Sequence, residues 1–177
     1  MGLMFYKITI KNLRDNIANL ERKIDNYERK EELFKNMVKM VDEKSSEAII
    51  SNIYSYNNSI YAIFLFERKI FVDTIEIEIY EAMYDKCISK IISEIFFNKD
   101  LHIVSIDTEY WYRRQGHASK GLELLIKYAE NIGSKRIFGG LLISDDMEYL
   151  YKFYSKNGFN VKRTSFEKIL NDNANIE

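Results

Sequence analysis

The fold is decided by residues 101–143, which read LHIVSIDTEYWYRRQGHASKGLELLIKYAENIGSKRIFGGLLI. This stretch begins and ends with an apolar run of strand length, residues 101–108 and residues 136–143. Between them, apolar residues recur at the spacing of an amphipathic helix: Ala118, Leu122, Leu125, Ile126, Ala129 and Ile132. A strand, a helix and a strand in this order predict a crossover connection, and therefore a parallel strand pair inside a mixed sheet.

Helical spacing also dominates residues 12–43. Apolar residues recur there every three or four positions: Leu13, Ile17, Leu20, Ile24, Tyr27, Leu33, Phe34, Met37, Val38 and Val41. They predict one long helix or two consecutive helices, whose apolar stripe we expect to face the core; a partner-binding helix is the alternative. The preceding residues 4–10 are expected to form a short first strand.

The middle of the chain is predicted to hold two strands and a helix. Residues 60–66 are an apolar run, and residues 71–80 alternate isoleucine with glutamate at the two-residue period of a half-buried strand. We expect these strands to form a hairpin that turns at residues 67–69. Residues 83–95 carry apolar side chains at helical spacing and are expected to form an amphipathic helix, with Cys87 as a small buried residue.

The C-terminal part is predicted to end in one helix and one strand. Asp145 and Glu148 have the spacing of a capping pair, and Gly158 is suited to ending the helix. Residues 159–166 then predict a final strand, and residues 171–177 are expected to be a frayed tail.

The composition limits the classes of protein to consider. Of 177 residues, 46% are hydrophobic, which is enough for one core, and we expect a single domain over residues 1–170. Because 26 basic and 27 acidic residues nearly cancel, neither nucleic acid nor a membrane surface is an expected partner. The sequence contains no run of about 18 apolar residues, so no membrane-spanning helix is predicted. A single cysteine favours a cytoplasmic protein without disulfides, and only two histidines argue against a metal site.

The segment with the clearest chemistry runs from Tyr112 to Ala118, YRRQGHA, at the junction between strand and helix. A glycine and a small residue at a helix start let the backbone approach an anion closely. The free N–H groups of the first turn and the helix dipole then favour a phosphate. The segment lacks the Gly-Lys-Ser/Thr of a Walker loop and the glycine pattern of dinucleotide-binding folds. It therefore predicts a pyrophosphate cradle of another kind.

The pattern Arg113-x-x-Gly116-x-Ala118 resembles the acetyl-CoA signature R/Q-x-x-G-x-G/A of GCN5-related N-acetyltransferases, the GNAT superfamily. Residues 150–159, LYKFYSKNGF, look like that family's helix-to-strand ending, with Tyr154 four residues before Gly158. The resemblance covers about residues 101–166. The sequence departs from the family pattern at three positions: Arg114 replaces a usual glycine, His117 a commoner aliphatic residue, and Met147 a frequent asparagine.

The resemblance implies a fold, a cosubstrate and a reaction. The fold would be α/β (α+β), a mixed sheet of about six or seven strands flanked by about four or five helices. Acetyl-CoA would be the cosubstrate, with no metal, and the acceptor would be a primary amine of a small molecule or peptide. The expected cofactor-binding residues are Ile106, Asp107, Thr108, Arg113, Arg114, Gln115, Gly116, His117, Ala118 and Ser119.

Direct transfer would need a base for the amine, N–H donors for the oxyanion and an acid for the leaving thiolate. By its position in the family pattern, Tyr154 is the expected acid. Backbone amides of residues 106–108 are the expected oxyanion donors. Asp107 and Glu109 are the first candidates for the base, and three further acids stay open: Glu76, Glu78 and Glu81.

Two further readings of the sequence stay open. A catalytically silent GNAT-fold module that binds acyl-CoA as a sensor is the alternative to an enzyme. A nucleic-acid binder built on Arg113 and Arg114 is disfavoured because the chain has no basic stripe. The oligomeric state is not determined by the sequence, and a homodimer is one option.

Overall fold

A computed structural model describes residues 2–69, 71–142 and 146–170, with side chains from Arg14 onward apart from those of Ile50 and Ser51. In this part of the chain there are three α-helices and eight strands. The helices are α1 (Gly2–Ser45), α2 (His117–Asn131) and α3 (Met147–Lys156). The strands are β1 (Ile50–Tyr56), β2 (Ser59–Lys69), β3 (Asp73–Glu81), β4 (Lys86–Ile95), β5 (Leu101–Thr108), β6 (Arg136–Gly140), β7 (Asn160–Val161) and β8 (Ser165–Ile169).

All eight strands belong to one sheet, in the order β1-β2-β3-β4-β5-β6-β8-β7. Only β5 and β6 pair in parallel, and α2 connects them; the other neighbours are antiparallel. The predicted crossover and the mixed α/β fold class are therefore confirmed. The sheet has more strands than the six or seven expected, and the described residues hold fewer helices than the four or five expected.

The two faces of the sheet are covered unequally. On the α2 face, which also carries α3, the isoleucines at 75, 77 and 79 pack with Leu122 and Leu125 in the main core. On the α1 face, a smaller cluster joins Met37 and Met40 of α1 to Phe64. Because successive residues of a strand point to opposite faces, β3 sends its isoleucines to the α2 face and Glu76 and Glu78 to the α1 face.

Two predictions for the N-terminal half are wrong. Residues 4–10 are part of α1, not a strand, so α1 is one long helix. The core face predicted for residues 12–43 is confirmed for Leu33, Met37 and the partly buried Val41. It is wrong for the rest of the predicted stripe with described side chains, because residues 14–32, Phe34 and Val38 are exposed. β1 was not predicted, since its sequence ISNIYSY mixes polar residues into the strand.

The helix predicted at residues 83–95 is also wrong, because β4 occupies most of this segment. Ile79 pairs with Ser89 while Tyr80 pairs with Cys87, so Ile88 is an extra residue in a β-bulge. The bulge interrupts the alternation, and buried residues then fall at Ile88 and Ile91, three apart, as on a helix. Cys87 is half-buried, and burial raises the pKa of its thiol.

Several element ends differ from the prediction. Residues 67–69 continue β2 and pair with β3, so the hairpin turns beyond them. The last predicted strand is divided into β7 and β8. Helix α3 is capped by Asp146, whose Oδ1 accepts from the Tyr149 N–H at 3.2 Å. The predicted cap Asp145 and the predicted tail 171–177 lie outside the described residues.

Candidate functional site where strands β5 and β6 part

Strands β5 and β6 run side by side for only three residues. Leu101, His102 and Ile103 pair with β6, whereas pairing of β5 with β4 continues to Thr108. Ile92 pairs with Ser105 and the next residue, Ser93, pairs with Ile103, so Val104 is an extra residue in a β-bulge. A bulge bends its strand, and β5 leaves β6 at this point. In the described residues, the β6-side edge of residues 104–108 thus lacks a strand partner.

The parted strand leads directly to the start of α2. Arg114 and Gly116 have positive φ angles of 62° and 90°. Gly116 is the N-cap of α2, and no side chain caps the helix there. A Cβ built on Gly116 would meet nothing within 4 Å, so the space in front of the first turn is open. Unsatisfied N–H groups and the helix dipole make such an opening suitable for an anion.

The side chains of the loop hold its shape. Arg113 Nε donates to the Thr108 carbonyl at 2.8 Å, and its guanidinium lies 4.0 Å from Asp107. Gln115 donates to the Trp111 carbonyl at 2.7 Å. The Arg114 guanidinium lies over the Tyr149 ring of α3, 5.3 Å from its centre. These contacts tie the loop to β5 on one side and to α3 on the other.

Helix α3 is also joined to the first turn of α2. Asn157, the C-cap of α3, donates to Ser119 Oγ at 3.2 Å and to the Phe153 carbonyl at 2.8 Å. Ala118, beside Ser119, is half-buried. The sequence predicts both Ala118 and Ser119 as part of the cofactor loop. The structure places them in the first turn, next to Gly116.

Tyr154 lies beside the point where β5 and β6 part. Its ring stacks on Phe166 with centres 3.6 Å apart. Phe166 pairs with Gly139, and its ring covers the site where a Cβ on Gly139 would lie. Gly139 in turn pairs with Ile103, the last residue of β5 that contacts β6. Tyr154 is 6% exposed and therefore packs as a core residue at the base of the opening.

His117 faces a group of tyrosines that sequence reasoning missed. Its Nδ1 lies 2.6 Å from the Tyr54 hydroxyl, and its ring centre is 4.6 Å from that of Tyr61. Tyr56 and Tyr112 approach it at about 6 Å. We call these four residues, with His117 and Glu81, the tyrosine cluster. His117 is 1% exposed, so its ring points into the cluster and not into the loop opening.

The imidazole of His117 is held in an apolar setting. Burial lowers its pKa below the ordinary value of 6.5, against the opposing effect of the Glu81 charge. Its Nε2 is buried without a hydrogen-bond partner among the described residues. Neutral imidazole with Nε2–H or Nδ1–H is therefore the favoured form, and Tyr54 stabilises whichever tautomer forms.

Glu81 is the acid of β3 that belongs to this cluster. It lies opposite Tyr61 on the α2 face and is 5% exposed. The Tyr112 hydroxyl donates to its Oε2 at 2.5 Å. Burial and this hydrogen bond raise the pKa of the Tyr112 phenol, so it is a neutral donor at physiological pH. The Tyr112 phenol thus connects the loop to the buried Glu81 carboxylate by a single hydrogen bond.

The other predicted acids lie elsewhere. Glu76 and Glu78 are on the α1 face, where both pair with Lys90 at 3.1 and 3.0 Å. The Asp107 side chain is 84% exposed, and Glu109 pairs with Lys86 at 2.6 Å.

Ser89 links the ends of β4 and β5: its Oγ is hydrogen-bonded to Thr108 Oγ1 at 2.8 Å and to the Asp107 carbonyl at 3.0 Å. Ile106 is half-buried beside them.

The sequence contains only a weak signal for the tyrosine cluster. Tyr54 and Tyr56 lie two residues apart on a strand that was not predicted, and Tyr61 is the second residue of the apolar run predicted as a strand at residues 60–66. Glu81 follows three isoleucines at two-residue spacing, which would have placed it on their face. The pairing of β1 with β2, which brings Tyr54 opposite Tyr61, could not be known without the sheet.

Comparison with solved structures finds acetyltransferases of the GNAT family among the similar chains. One is an acetyltransferase of the GNAT family from Staphylococcus aureus Mu50, 17% identical, with a TM-score of 0.49 over 55% of this chain and 69% of that one. The PaiA N-acetyltransferase of Thermoplasma acidophilum in complex with coenzyme A is 17% identical, with a TM-score of 0.49 over 55% of this chain and 62% of that one. The ribosomal-protein-S18-alanine N-acetyltransferase of Escherichia coli is 16% identical, with a TM-score of 0.46 over 58% and 75%.

No protein-family model and no curated protein matches the sequence. The likeness to the solved structures therefore concerns the fold alone. Among the described residues, no helix is long and apolar enough to cross a membrane. In the same part of the chain, no group of three or more histidine, cysteine or acidic residues is placed to hold a metal ion.

Proposed function

We propose that this chain is an acetyl-CoA-dependent N-acetyltransferase that acetylates a primary amine of a small molecule or peptide. The observation that carries the proposal is the parting of β5 from β6 at the Val104 bulge, directly before the Arg113–Ala118 motif. An extended arm with amide groups can add to an unpaired strand edge by main-chain hydrogen bonds. The pantetheine arm of coenzyme A has this chemistry, and the α2 start suits its pyrophosphate.

The residues divide between the two ends of the cosubstrate. The main chain of residues 106–108 would pair with the pantetheine arm and supply N–H donors for the oxyanion. The main chain of residues 116–119 would face the pyrophosphate, with Arg113 and Arg114 near enough in sequence to add positive charge. The Arg113 guanidinium, now bound to the Thr108 carbonyl, keeps free N–H groups for a phosphate.

Acetyl-CoA, when bound, supplies an activated acetyl thioester. The protein must take a proton from the acceptor ammonium, and the Tyr112–Glu81 pair fits this role better than the other acids. The ammonium proton would pass to Tyr112 Oη while the phenol proton passes to Glu81 Oε2, which leaves a neutral amine and a neutral carboxyl group. Asp107 and Glu109, which lie nearer the surface, are the alternatives.

Tyr154 is the proposed acid that protonates the leaving thiolate. A phenol with an ordinary pKa of about 10 stays protonated at neutral pH and can donate to sulfur. Its place at the parting of β5 and β6 supports this role, since the thioester end of an arm along β5 would enter there. The same burial would suit a packing role, so a substitution must decide between the two.

Cosubstrate binding is tested by comparing two glycines of α2. Gly116→Asp adds a negative charge at the helix start, and Gly133→Asp adds the same residue just beyond the helix end. Both glycines have positive φ and open space where a Cβ would lie, so both variants carry a similar backbone cost. We expect coenzyme A to raise the melting temperature of the natural chain and of Gly133→Asp, but not of Gly116→Asp. A hundredfold excess over Kd is worth about 2.7 kcal/mol.

An equal response of the two variants would contradict the proposed phosphate site. No response of the natural chain at millimolar coenzyme A would contradict the cosubstrate itself. Release of free coenzyme A with a panel of polyamines, amino sugars and peptide N-termini then separates an enzyme from a silent acyl-CoA-binding module. Binding without turnover across the panel would favour the module.

A further inference from the structure

Residues 17–38 of α1 carry an apolar stripe that the other described residues leave uncovered. Every residue from 14 to 32 is exposed. The stripe has six large side chains that are 43 to 71% exposed: Ile17, Leu20, Ile24, Tyr27, Phe34 and Val38. Isolated helices are marginal in water, and a helix in a protein draws most of its stability from packing its apolar face. α1 therefore needs a partner along this stripe.

The spacing of the stripe specifies the kind of partner. Its residues follow alternating steps of four and three, the heptad repeat of a coiled coil, which continues in sequence to Leu13 and Val41. Counting Ile17 as position a, the a positions hold Ile17, Ile24, Glu31 and Val38, and the d positions hold Leu20, Tyr27, Phe34 and Val41. Three of the four a positions are β-branched, which favours a parallel two-stranded coil when leucine is at d; here Leu20 is the one leucine among the d positions.

The charges beside the stripe match a second copy in parallel. Glu21 and Glu28 lie on one flank, and Lys23 and Lys30 lie on the other. Lys35, which follows on the acidic flank, is the exception, and Glu31 of its own helix neutralises its charge. In a parallel pair the acidic flank of each helix meets the basic flank of its partner, whereas an antiparallel pair brings like flanks together. The one charged residue within the stripe, Glu31, is paired with Lys35 at 2.8 Å in its own helix.

The body of the protein leaves room for such a pair. Met37 and Met40 pack in the cluster on the sheet, and they lie about 100° and 200° around the helix from the seam position Val38. Val41 is partly buried against the same cluster, so the exposed seam ends at Val38. The exposed stripe from Ile17 to Val38 therefore lies on a different side of α1 from the residues that pack on the sheet. About 100 Å² from each exposed side chain gives on the order of 1,200 Å² for two copies, the lower range of stable interfaces.

We propose that two copies of this chain associate through a parallel coiled coil of α1, with residues 17–38 as its seam. The partner is a second copy because one helix supplies both the heptad core and the two complementary flanks. The interface lies on the side of α1 away from the sheet, so it is separate from the proposed cosubstrate site.

Sedimentation or light scattering of the full chain tests this proposal. We expect a mass of twice 21.1 kDa at micromolar concentration. Ile24→Lys places a charge in the seam and should return the mass to 21.1 kDa, whereas Asn26→Lys, on the opposite side of the helix, should leave the pair intact. A monomeric natural chain, or a dimer that survives Ile24→Lys, would overturn the proposal.

Cross-linking tests the orientation of the pair. In a parallel pair in register, the two Leu20 positions face each other at d, so Leu20→Cys should form a disulfide between copies on mild oxidation. The natural chain, with only the half-buried Cys87, supplies the background. A dimer in which Leu20→Cys gives no more cross-link than the background would overturn the parallel arrangement.

Discussion

The two faces of the sheet treat charged groups in different ways. On the α1 face, Lys90 lies between Glu76 and Glu78, so the carboxylates are neutralised by a cation. On the α2 face, the carboxylates of Glu81 and Glu67 accept from phenols, Tyr112 and Tyr128 respectively. An ion pair at a half-exposed surface is worth little and is easily replaced. Of the two carboxylates on the α2 face, Glu81 is buried and Glu67 is exposed, so Glu81 is the one shielded from water behind a phenol.

This difference arises because successive side chains of β3 point to opposite faces of the sheet. β3 sends Glu76 and Glu78 to one face and its isoleucines, followed by Glu81, to the other. The larger core and the parting of β5 and β6 are both on or beside the α2 face. Chemistry is therefore expected on that face, and the α1 face is expected to serve stability and association. The first two predictions below each compare one residue from each face.

The largest effect is expected for Tyr154→Phe, which removes one oxygen from the α2 face and keeps the ring stack on Phe166. If the phenol protonates the leaving thiolate, kcat should fall by about a hundredfold or more, the usual contribution of a positioned acid. The Michaelis constant for acetyl-CoA should hardly change, as for an interaction made in the transition state. Steady-state kinetics of thioester cleavage measure both.

Tyr80→Phe is the control for this prediction, since it removes a phenol on the α1 face and should leave kcat within about twofold. The loss in Tyr154→Phe should shrink with thioesters of more acidic thiols, which need less protonation. Unchanged turnover would show that Tyr154 is a packing residue only. An equal loss in both variants would remove the distinction between the faces.

A smaller effect, on stability, is expected for the phenols that bind Glu81 and Glu78. Tyr112→Phe leaves the Glu81 carboxylate buried without the donor that now satisfies it, which should cost about 1–3 kcal/mol. Tyr80→Phe removes a 2.8 Å bond to Glu78, but Lys90 remains 3.0 Å from that carboxylate, so the cost should be under about 1 kcal/mol. Urea unfolding at fixed protein concentration gives both values. The reverse order would contradict our account of the two faces.

The part of the fold that the sequence predicted well is the crossover. β5 was predicted with its observed bounds, and α2 differs by a residue at each end. Its strands and helix have distinct periods, and glycines mark both ends of α2. The predicted site residues from 106 to 119 consequently fall on β5, the loop and the first turn of α2, although their roles remain predictions.

The other elements and the tyrosine cluster could not be predicted, because the local sequence pattern at each of them is compatible with more than one structure. The Ile88 bulge gave β4 a helical spacing, and only pairing with β3 resolves it. The heptad stripe of α1 is equally suited to a core or to a partner. His117 could be placed at the helix start, but three of the four tyrosines around its ring come from strands 56 to 63 residues earlier in the chain. Contacts at that separation depend on sheet order, which no short pattern specifies.

The smallest effect is expected from the titration of His117. The groups facing its ring are the tyrosines of the cluster and Glu81, and burial outweighs the Glu81 charge and lowers the imidazole pKa below 6.5. A histidine whose pKa is lower in the folded state binds more protons when unfolded. Stability should therefore be complete above pH 6.5 and decline as the pH falls below it, by less than one proton, or about 1.4 kcal/mol, per pH unit.

Two measurements test the direction of the His117 pKa shift and of the change in stability with pH. The chain has only two histidines, His102 and His117, so a His102→Gln variant leaves one imidazole signal for nuclear magnetic resonance titration. We expect its midpoint below 6.5, and we expect His117→Gln to flatten the decline in urea-derived stability between about pH 6.5 and 5. A midpoint at or above 6.5 would mean that the Glu81 charge outweighs burial. The cluster would then hold a cationic imidazole beside a carboxylate, as the α1 face holds Lys90 beside Glu78, and the contrast between the two faces would fail.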